Sequence, residues 1–243
     1  MAASYHANLF LTERGAELFR DFDMAGREVQ VVTEYNRALR YSGPRCFATM
    51  QDLALFLVHH HAVALLLGGK GGHRHLTFDF DLNEYDQAPA RQCRCRGKTC
   101  CSSCILVAKA GAVAVETCLK DRWKFDLDIR WFFSGRRGLH GWVMNTDHVF
   151  CTNEEVRADV AKMFVQRPSP DSPLGRLLMA KWEPFITRLE EDGWWSDRWF
   201  ELLWPRLDVP VTASLARSLR LPFSINPSTG KIVEPVSVRP EDA

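Results

Sequence analysis

The sequence lacks the features that would place it in several specialised classes. Its 31 lysines and arginines nearly balance 30 aspartates and glutamates, for a net charge of +1, so any anion-binding surface has to be local. No apolar run approaches the roughly 18 residues of a membrane-spanning helix. The first ten residues, MAASYHANLF, lack a charged region followed by an apolar one. We therefore expect a soluble intracellular protein without a secretion signal.

Internal repeats and low-complexity tracts are also missing, and helices and strands do not alternate as βαβ units. This pattern favours an α+β or mixed α/β fold. The chain has 243 residues, of which 46% are hydrophobic, enough to bury the core of one domain.

Several segments are predicted to be helical. A helix capped by Thr12 runs to Phe22, and the segment from Glu28 to Arg40 continues its pattern, so most of the first sixty residues are expected to be helical. Further helices are predicted at 50–61, at 105–120, from a capping box at Thr152–Glu155 to about Val165, and as a pair at 174–192 and 196–204. Residues 167–173 form a linker before that pair.

Strands are predicted where apolar residues alternate or cluster between turn signals. Residues 62–68 and 75–82 are expected to be strands joined by a flexible basic hairpin loop, GGKGGHR. Residues 128–145 are typical of a strand, a tight turn and a second strand. Residues 222–235 are typical of a hairpin with Pro-Ser-Thr-Gly at its turn.

The stretch HLTFDFDL places two acids on one face of a strand. Leu76, Phe78, Phe80 and Leu82 share one face, and His75, Thr77, Asp79 and Asp81 share the other. The two carboxylates lie about 7 Å apart along the strand, and converging carboxylates can bridge two divalent ions about 3.5–4 Å apart. A strand face that is merely acidic explains this stretch equally well.

The stretch SGRRGLHGWV, Ser134 to Val143, is typical of a phosphate site. Its glycines let the backbone approach an anion closely, Arg136 and Arg137 can each pair with phosphate through two donors, and His140 adds another donor. A solvated basic turn is the alternative. Apolar residues on both sides of the turn indicate a rigid platform between core strands, which favours the phosphate site.

Five of the eight cysteines fall between Cys93 and Cys104. Clustering in an intracellular protein favours a metal site over a disulfide framework. Cys101 and Cys104 have the two-residue spacing of a tetrahedral zinc site, and Cys93 and Cys95 can supply the other pair. The neighbouring basic residues, Arg91, Arg94, Arg96 and Lys98, are expected to lower the pKa values of the thiols. A redox pair or free thiols are the alternative. A zinc ion held by four cysteines would be structural.

A third acid, Asp208, lies in the apolar, extended segment WPRLDVPV. A lone carboxylate there is costly unless it is paired or bound to metal. Taken by itself, a surface aspartate in a turn is the simpler interpretation.

In order and content, these motifs resemble the catalytic small subunit of archaeo-eukaryotic DNA primases. FDFDLNEYD resembles the first motif of that family, FSGRRGLHGWV the second, and PRLDVPV with LARSLRLPFSINPSTGKIVEP the third aspartate and its hairpin. The cysteine cluster falls where many eukaryotic and viral members carry a structural zinc. The similarity is dense over 75–145 and 202–235 and thin before residue 75.

The resemblance implies a fold and a set of site residues. We expect the mixed α+β primase catalytic fold, with mixed sheets flanked by helices, as one domain over 1–243. Within it, a zinc-binding loop is expected at about 91–105 and a helical segment at about 166–204. Asp79, Asp81 and Asp208 would hold two Mg²⁺ or Mn²⁺ ions, and Cys93, Cys95, Cys101 and Cys104 would hold zinc, with Cys100 as an alternative to Cys101. The implied nucleotide contacts are Arg45, Ser134, Arg136, Arg137, His140, Arg220 and Asn226.

The sequence departs from the family pattern in two respects. Asn226 stands where the hairpin usually has a histidine; its amide can hydrogen-bond a phosphate but carries no charge. The stretch 166–200 is shorter than the helical insertion of cellular eukaryotic relatives, and the chain stops soon after the hairpin. It therefore resembles a compact version of the catalytic domain, such as a virus would encode.

The function that the resemblance implies is synthesis of short RNA primers on single-stranded DNA, from ribonucleoside triphosphates, by two-metal-ion nucleotidyl transfer. Little of the sequence is strongly basic, so we expect weak, salt-sensitive template binding. A large primase subunit, or a helicase or polymerase of the replication machinery, is the implied partner. The expected location is the nucleus or a site of viral DNA replication, without a membrane. Two alternatives remain: a related polymerase that extends primers with deoxynucleotides in repair or lesion bypass, and a non-catalytic scaffold, against which the three retained acids argue.

Overall fold

The computed structural model describes residues 2–35, 38–86, 93–97, 100–124, 127–144 and 149–239. The helices in these ranges are α1 (Ala2–Leu9), α2 (Glu13–Asp21), α3 (Met50–His60), α4 (Ser102–Trp123), α5 (Glu154–Lys162), α6 (Pro173–Glu191), α7 (Trp199–Leu203) and α8 (Val209–Ala213). The strands are β1 (Glu28–Tyr35), β2 (Ala38–Tyr41), β3 (Arg45–Cys46), β4 (Ala62–Leu67), β5 (Thr77–Asp81), β6 (Ile129–Phe133), β7 (Gly138–Val143), β8 (Leu219–Arg220) and β9 (Glu234–Pro235). Short 3₁₀ turns occupy Leu82–Tyr85 and Val149–Cys151.

The strands form two sheets. The first sheet has the order β2-β1-β4-β8, with β3 also paired to β1, and the second has the order β5-β7-β6-β9. All the ladders between these strands are antiparallel. Helices cover both sheets, which confirms the α+β prediction.

Each sheet contributes to a separate apolar core. Residues of α1, α2 and α3 pack with β1 and β4 in the first core, which also takes in Phe132 and Trp142 from the second sheet. The opposite face of the second sheet packs against α4, α5, α6 and α7 in the second core. The second sheet therefore lies between the two cores, and a helical layer supports the strand that carries the paired acids.

Helix α4 is the central element of the second core. By length and composition it could cross a membrane, but 78% of its most apolar 18-residue window is buried inside the protein. Gly111 lies directly against Phe80: a Cβ added at Gly111 would stand 2.0 Å from the end of that ring. This close approach lets α4 pack against the apolar face of the second sheet.

The predicted helix over Glu28–Arg40 is wrong, because β1 and β2 form an antiparallel hairpin there. In β1, Val29 and Val31 are buried with 1% of their surface exposed, while Gln30 between them is half-buried. This is the period of a strand, and branched side chains such as valine pack well on a pleated surface. The other predicted helices are present.

The predicted hairpin between 62–68 and 75–82 is also wrong. Both strands form, as β4 and β5, but they belong to different sheets. The intervening loop makes its own tight turn between Lys70 and His73. Buried Arg74 then donates hydrogen bonds to the carbonyls of Val211 (2.8 Å) and Ser214 (2.6 Å), which directs the chain toward the second sheet.

Helix α5 begins with a different cap from the predicted box. The side chain of Asn153 accepts hydrogen bonds from the backbone of Glu155 and Val156, while the Thr152 hydroxyl donates to the Val149 carbonyl. The helix also ends at Lys162 rather than near Val165.

Substituting Gly111→Ala should destabilise the protein. Alanine normally stabilises a helix by about 1 kcal/mol relative to glycine, but here the new methyl group would overlap the buried Phe80 ring. Overpacking typically costs about 1–3 kcal/mol. Urea unfolding should show a lower midpoint for Gly111→Ala and little change for the control Gly43→Ala, whose Cβ would meet no atom within 4 Å. A Gly111→Ala variant as stable as the wild type would contradict this packing.

Candidate active site

A cleft of about 280 Å³ lies where the two sheets approach each other. Most of the predicted site residues line it: Asp79, Asp81, Ser134, Arg136, Arg137, His140, Arg220 and Asn226. The first sheet contributes Leu39 and Arg220 to the walls, and the second sheet contributes the acids and His140. Three larger surface grooves, of about 680, 570 and 390 Å³, contain none of the predicted site residues.

The three acids are neighbours through backbone pairing. Asp79 and Asp81 extend from the same face of β5, and Phe80 between them forms a bridge with Leu207. The Asp208 backbone N–H donates to the Asp79 carbonyl at 3.0 Å. The segment before α8 thus adds to the edge of β5 and brings Asp208 beside the other two. Its carboxylate also caps α8, accepting from the Val211 N–H at 3.2 Å.

The environment of Asp79 disfavours its negative charge. The pKa of Asp79 is raised to about 7, mainly by burial and also by the neighbouring Asp81 and Asp208 carboxylates, while the charge of Arg220 opposes the shift. About a quarter of the side chain stays exposed toward the cleft. A divalent cation would relieve this repulsion, so the three residues fit the oxygen-donor set of a magnesium or manganese site.

Asn83, which the sequence analysis missed, orients Asp81. One carboxylate oxygen of Asp81 accepts the Asn83 backbone N–H and the other accepts its side-chain amide, both at 2.8 Å. The available sequence signal was an asparagine two residues after an acid at a strand end, the pattern of a local turn.

The side chain of Arg137 is fully buried and bound by protein groups. Its guanidinium donates to both carboxylate oxygens of Asp86, at 2.7 and 3.1 Å, and to the Asn83 side-chain oxygen at 2.7 Å. Through Asn83 it supports Asp81. The predicted contact of Arg137 with a triphosphate stays a prediction, since reaching a ligand would require exchange of these partners.

His140 faces Asp79 from the adjacent strand. The two residues are paired across the β5–β7 ladder, with Nε2 of His140 3.7 Å from a carboxylate oxygen of Asp79. Burial lowers the pKa of His140 to about 3, and the charge of Arg220 contributes to that shift. The imidazole is therefore neutral near pH 7, and the contact is not an ion pair.

The turn between β6 and β7 is held by the final hairpin. Asn226 donates from its amide to the Ser134 carbonyl at 3.1 Å and accepts from the backbone and hydroxyl of Ser228. Gly138 comes so close to β5 that an added Cβ would stand 1.9 Å from the Phe80 carbonyl oxygen. Asn226 thus joins two cleft-lining turns, whatever further contact it makes with a ligand.

Arg45 does not line the cleft. It lies on the short strand β3, with its guanidinium 5.0 Å from the centre of the Phe56 ring. On the side of the first sheet, the wall of the cleft includes Leu39 of β2 instead. The predicted substrate or template contact of Arg45 stays a prediction.

Four cysteines converge next to this cleft. The sulfur atoms of Cys93, Cys95, Cys101 and Cys104 all lie within 4.8 Å of one another, and Cys93 is 3.1 Å from Cys104. A tetrahedral zinc site with bonds of about 2.3 Å needs sulfurs about 3.8 Å apart. The set is compatible with zinc and contains Cys101 rather than Cys100.

The cysteine loop contacts the cleft through Arg136. Two nitrogens of the Arg136 guanidinium donate to the Gly97 carbonyl, both at 3.1 Å. The loop and the β6–β7 turn are therefore joined. Part of the loop, including Arg91 and Lys98, lies outside the described residues.

The predicted lowering of the thiol pKa values is wrong for Cys95, Cys101 and Cys104, whereas the pKa of Cys100 is lowered, mainly by a hydrogen bond with Cys104. Burial raises the pKa of Cys95 to about 12, and burial also raises the pKa of Cys101. A hydrogen bond with Cys100 is the main cause of the raised pKa of Cys104. Arg96 donates to the Cys95 carbonyl and approaches Asp86. The sulfurs thus need a cation to become thiolates together.

The raised pKa of Asp79 predicts how stability varies with pH when magnesium and manganese are absent. Its pKa is about 7 in the folded state against 3.8 ordinarily, so the folded state binds more protons between these values, and stability should fall as pH rises from about 4 to about 7. Thermal unfolding of zinc-loaded protein should show this decline in the wild type and in Asp171→Asn, and a flatter profile in Asp79→Asn. Identical profiles would contradict the shift.

Comparisons with known proteins agree with this geometry. The chain is 23% identical to the DNA primase small subunit of Drosophila melanogaster, over 90% of this chain and 70% of that protein. It is 21% identical to the DNA primase small subunit of Schizosaccharomyces pombe, over 70% of this chain and 54% of that protein. With the Caenorhabditis elegans subunit it shares 31% identity over 46% of this chain and 27% of that protein. The matches thus span about a quarter to 70% of the curated relatives.

The fold also has a solved counterpart. The polymerase domain of Mycobacterium tuberculosis ligase D, in a structure with DNA, superimposes with a TM-score of 0.54 over 98% of this chain and 80% of that one. Sequence identity is 15%, so this likeness concerns the fold. A family model described as DNA primase small subunit matches residues 78–238, from the paired acids through the final hairpin. The chain belongs to the DNA primase small-subunit family.

Proposed function

We propose that this chain is the catalytic subunit of a DNA primase, a DNA-directed RNA polymerase that makes short RNA primers on single-stranded DNA. The observation that carries the proposal is the pairing of Asp208 with the strand that carries Asp79 and Asp81, since those two acids line a cleft that also contains cationic and neutral donors. Nucleotidyl transfer requires positioning and charge neutralisation more than covalent chemistry from the protein. Family membership supports this assignment.

Two Mg²⁺ or Mn²⁺ ions are the proposed catalytic cofactors, held by the three carboxylates. The raised pKa of Asp79 and the crowding of negative charge fit such ions. When bound, a pair of divalent ions activates the attacking 3′-hydroxyl and neutralises the leaving pyrophosphate. Asn83 and Arg137 keep the Asp81 carboxylate in position for this role.

The remaining cleft residues would bind the triphosphate. Arg136 and Arg220 supply positive charge, Ser134 supplies a hydroxyl, and neutral His140 can donate one N–H without a change of protonation near pH 7. Asn226 would act mainly by holding the turn that carries these groups. Arg45, outside the cleft, is the proposed contact for substrate or template.

The proposed partners follow from the weak template binding that we expect of this chain. Its net charge is +1, so we expect weak, salt-sensitive binding to single-stranded DNA without a second protein. A large primase subunit, or a helicase or polymerase of the replication machinery, would supply the stronger template contact. The proposed location is the nucleus or a site of viral DNA replication, and the proposed domain organisation is one catalytic domain.

Asp79→Ala and Asp81→Ala should each abolish primer synthesis, because each removes a proposed metal ligand. The assay contains purified protein, unprimed single-stranded DNA, labelled ribonucleotides and Mn²⁺ or Mg²⁺, with products separated on a denaturing gel. The control Asp171→Ala, at an exposed loop position, should keep full activity. Near-normal synthesis by either cleft variant would refute the assignment.

The same assay separates the alternative activity. A polymerase that serves repair or lesion bypass would make no product without a primer but would extend a supplied primer with deoxynucleotides. We expect short RNA products without a primer and a preference for ribonucleotides. If the protein only extends supplied primers, the alternative function is correct. The acids would then still have their proposed role as metal ligands.

The cysteine cluster should bind about one zinc per chain, which we expect to be structural because all four positions are filled by thiolates. Elemental analysis of purified protein checks the content. Cys101→Ser should lose most of the zinc, whereas Cys46→Ser, at an exposed and distant cysteine, should retain it. A folded and active wild-type preparation without zinc would contradict the assignment.

A further inference from the structure

Three arginines are completely buried together, away from the catalytic cleft. Arg27 precedes β1, Arg74 precedes β5 and Arg157 lies in α5, and each exposes at most 1% of its surface. None of the three lines the cleft that holds the acids. Arginine keeps its charge in proteins, so this part of the core contains concentrated positive charge.

Arg157 contacts the chain segment that carries Arg74, and the charge of Arg27 acts on both Arg74 and His75. Arg157 donates from Nη1 to the backbone carbonyls of Arg74 (3.3 Å) and His75 (3.1 Å). The pKa of Arg74 is lowered to about 9, mainly by burial and also by the charges of Arg157 and Arg27. The three positive charges therefore repel one another.

The carboxylates nearest to this cluster are engaged elsewhere. Asp23, the acid that faces Arg27, has 62% of its side chain exposed and pairs with Lys70 at 3.3 Å. Glu154, the acid that faces Arg157, accepts the Leu215 N–H at 2.7 Å. The buried thiol of Cys151 also faces both Arg27 and Arg157. Within the described ranges, no carboxylate lies within 4.0 Å of the three arginines.

Several buried donors of the cluster have no hydrogen-bond acceptor among the described residues. They are Nε and Nη1 of Arg27, Nε of Arg74, and Nε and Nη2 of Arg157. Nearly every buried polar group in a folded protein has a partner, and a buried charge without one is strongly destabilising. Donors of one sign, grouped in this way, indicate an acceptor that carries negative charge.

We propose that the arginine cluster of Arg27, Arg74 and Arg157 binds a small inorganic anion of chloride size as a built-in counter-ion. Such an ion accepts hydrogen bonds from several directions and needs no carboxylate from the chain. It would connect the start of β1, the start of β5 and α5. Since β5 carries Asp79 and Asp81, the anion would stabilise the base of the catalytic strand.

His75 offers a specific way to test this site. Its Nδ1 hydrogen-bonds the Val143 carbonyl at 2.9 Å, while its Nε2 is buried beside the Phe22 backbone. Burial lowers the pKa of His75 to about 4, with a contribution from the charge of Arg27. A glutamate at this position would place a carboxylate beside Arg27 and replace the bound anion.

The experiment measures thermal unfolding of the purified chain as chloride replaces gluconate at constant ionic strength. Above the dissociation constant, each tenfold rise in chloride should raise the folding equilibrium constant about tenfold, seen as a steady increase in unfolding temperature. His75→Glu should unfold at a higher temperature in gluconate and lose the chloride response. The matched control His59→Glu, at an exposed position, should keep it.

A wild-type protein that unfolds at the same temperature in chloride and gluconate would overturn the proposal. A chloride response that persists undiminished in His75→Glu would also overturn it, because the ion would then bind elsewhere. If His75→Glu fails to fold, bromide-soaked crystals of the wild type decide. An anomalous peak among the three guanidinium groups would support the site, and its absence there would refute it.

Discussion

Repulsion among the carboxylates of Asp79, Asp81 and Asp208 is the constraint that the surrounding structure has to overcome. Three negative charges converge where burial already disfavours ionisation, and only strong backbone support can keep them together without cations. That support comes from the β5–β7 ladder and from the pairing of residues 207–208 with β5. Gly111 and Gly138 allow α4 and β7 to approach Phe80 closely from either side. The strand is thus held by β7, by residues 207–208 and by α4, while its acidic face opens to the cleft.

A second layer of contacts connects the cleft with the cysteine loop. Arg137 joins Asp86 to Asn83, and Asn83 orients Asp81. Beside it, Arg136 bonds the Gly97 carbonyl within the loop. The two adjacent arginines of this turn therefore have different partners. Arg137 supports the acids, and Arg136 contacts the loop of the proposed zinc centre. Ordering of that loop by zinc would restrain the turn that lines the cleft, which gives a structural ion a physical connection to the catalytic geometry.

Features set by local pattern were predictable from the sequence, and features set by distant contacts were not. Alternation alone placed Asp79 and Asp81 on one strand face, and the turn signals placed His140 on the second strand of a hairpin, since both depend on nearby residues. The pairing of that second strand with β5, which sets His140 opposite Asp79, is a distant contact and was not predicted. Asp208 could be assigned only through the order of the family motifs, because its contact with β5 spans more than a hundred residues. The valine-rich β1 was mistaken for a helix, and β4 and β5 were paired although they belong to different sheets. The engagement of Arg137 by Asp86 and the burial of Arg27, Arg74 and Arg157 depend on tertiary packing that no local pattern encodes.

The proposed function depends most directly on whether the three acids bind two metal ions together. A crystal structure with Mn²⁺ and a non-hydrolysable ribonucleoside triphosphate would test this, because anomalous scattering locates manganese without reference to activity. We predict two peaks about 3.5–4 Å apart, held by Asp79, Asp81 and Asp208, with the triphosphate extending toward His140 and Arg220. Manganese bound away from these carboxylates, or a nucleotide bound without any ion at them, would contradict the account.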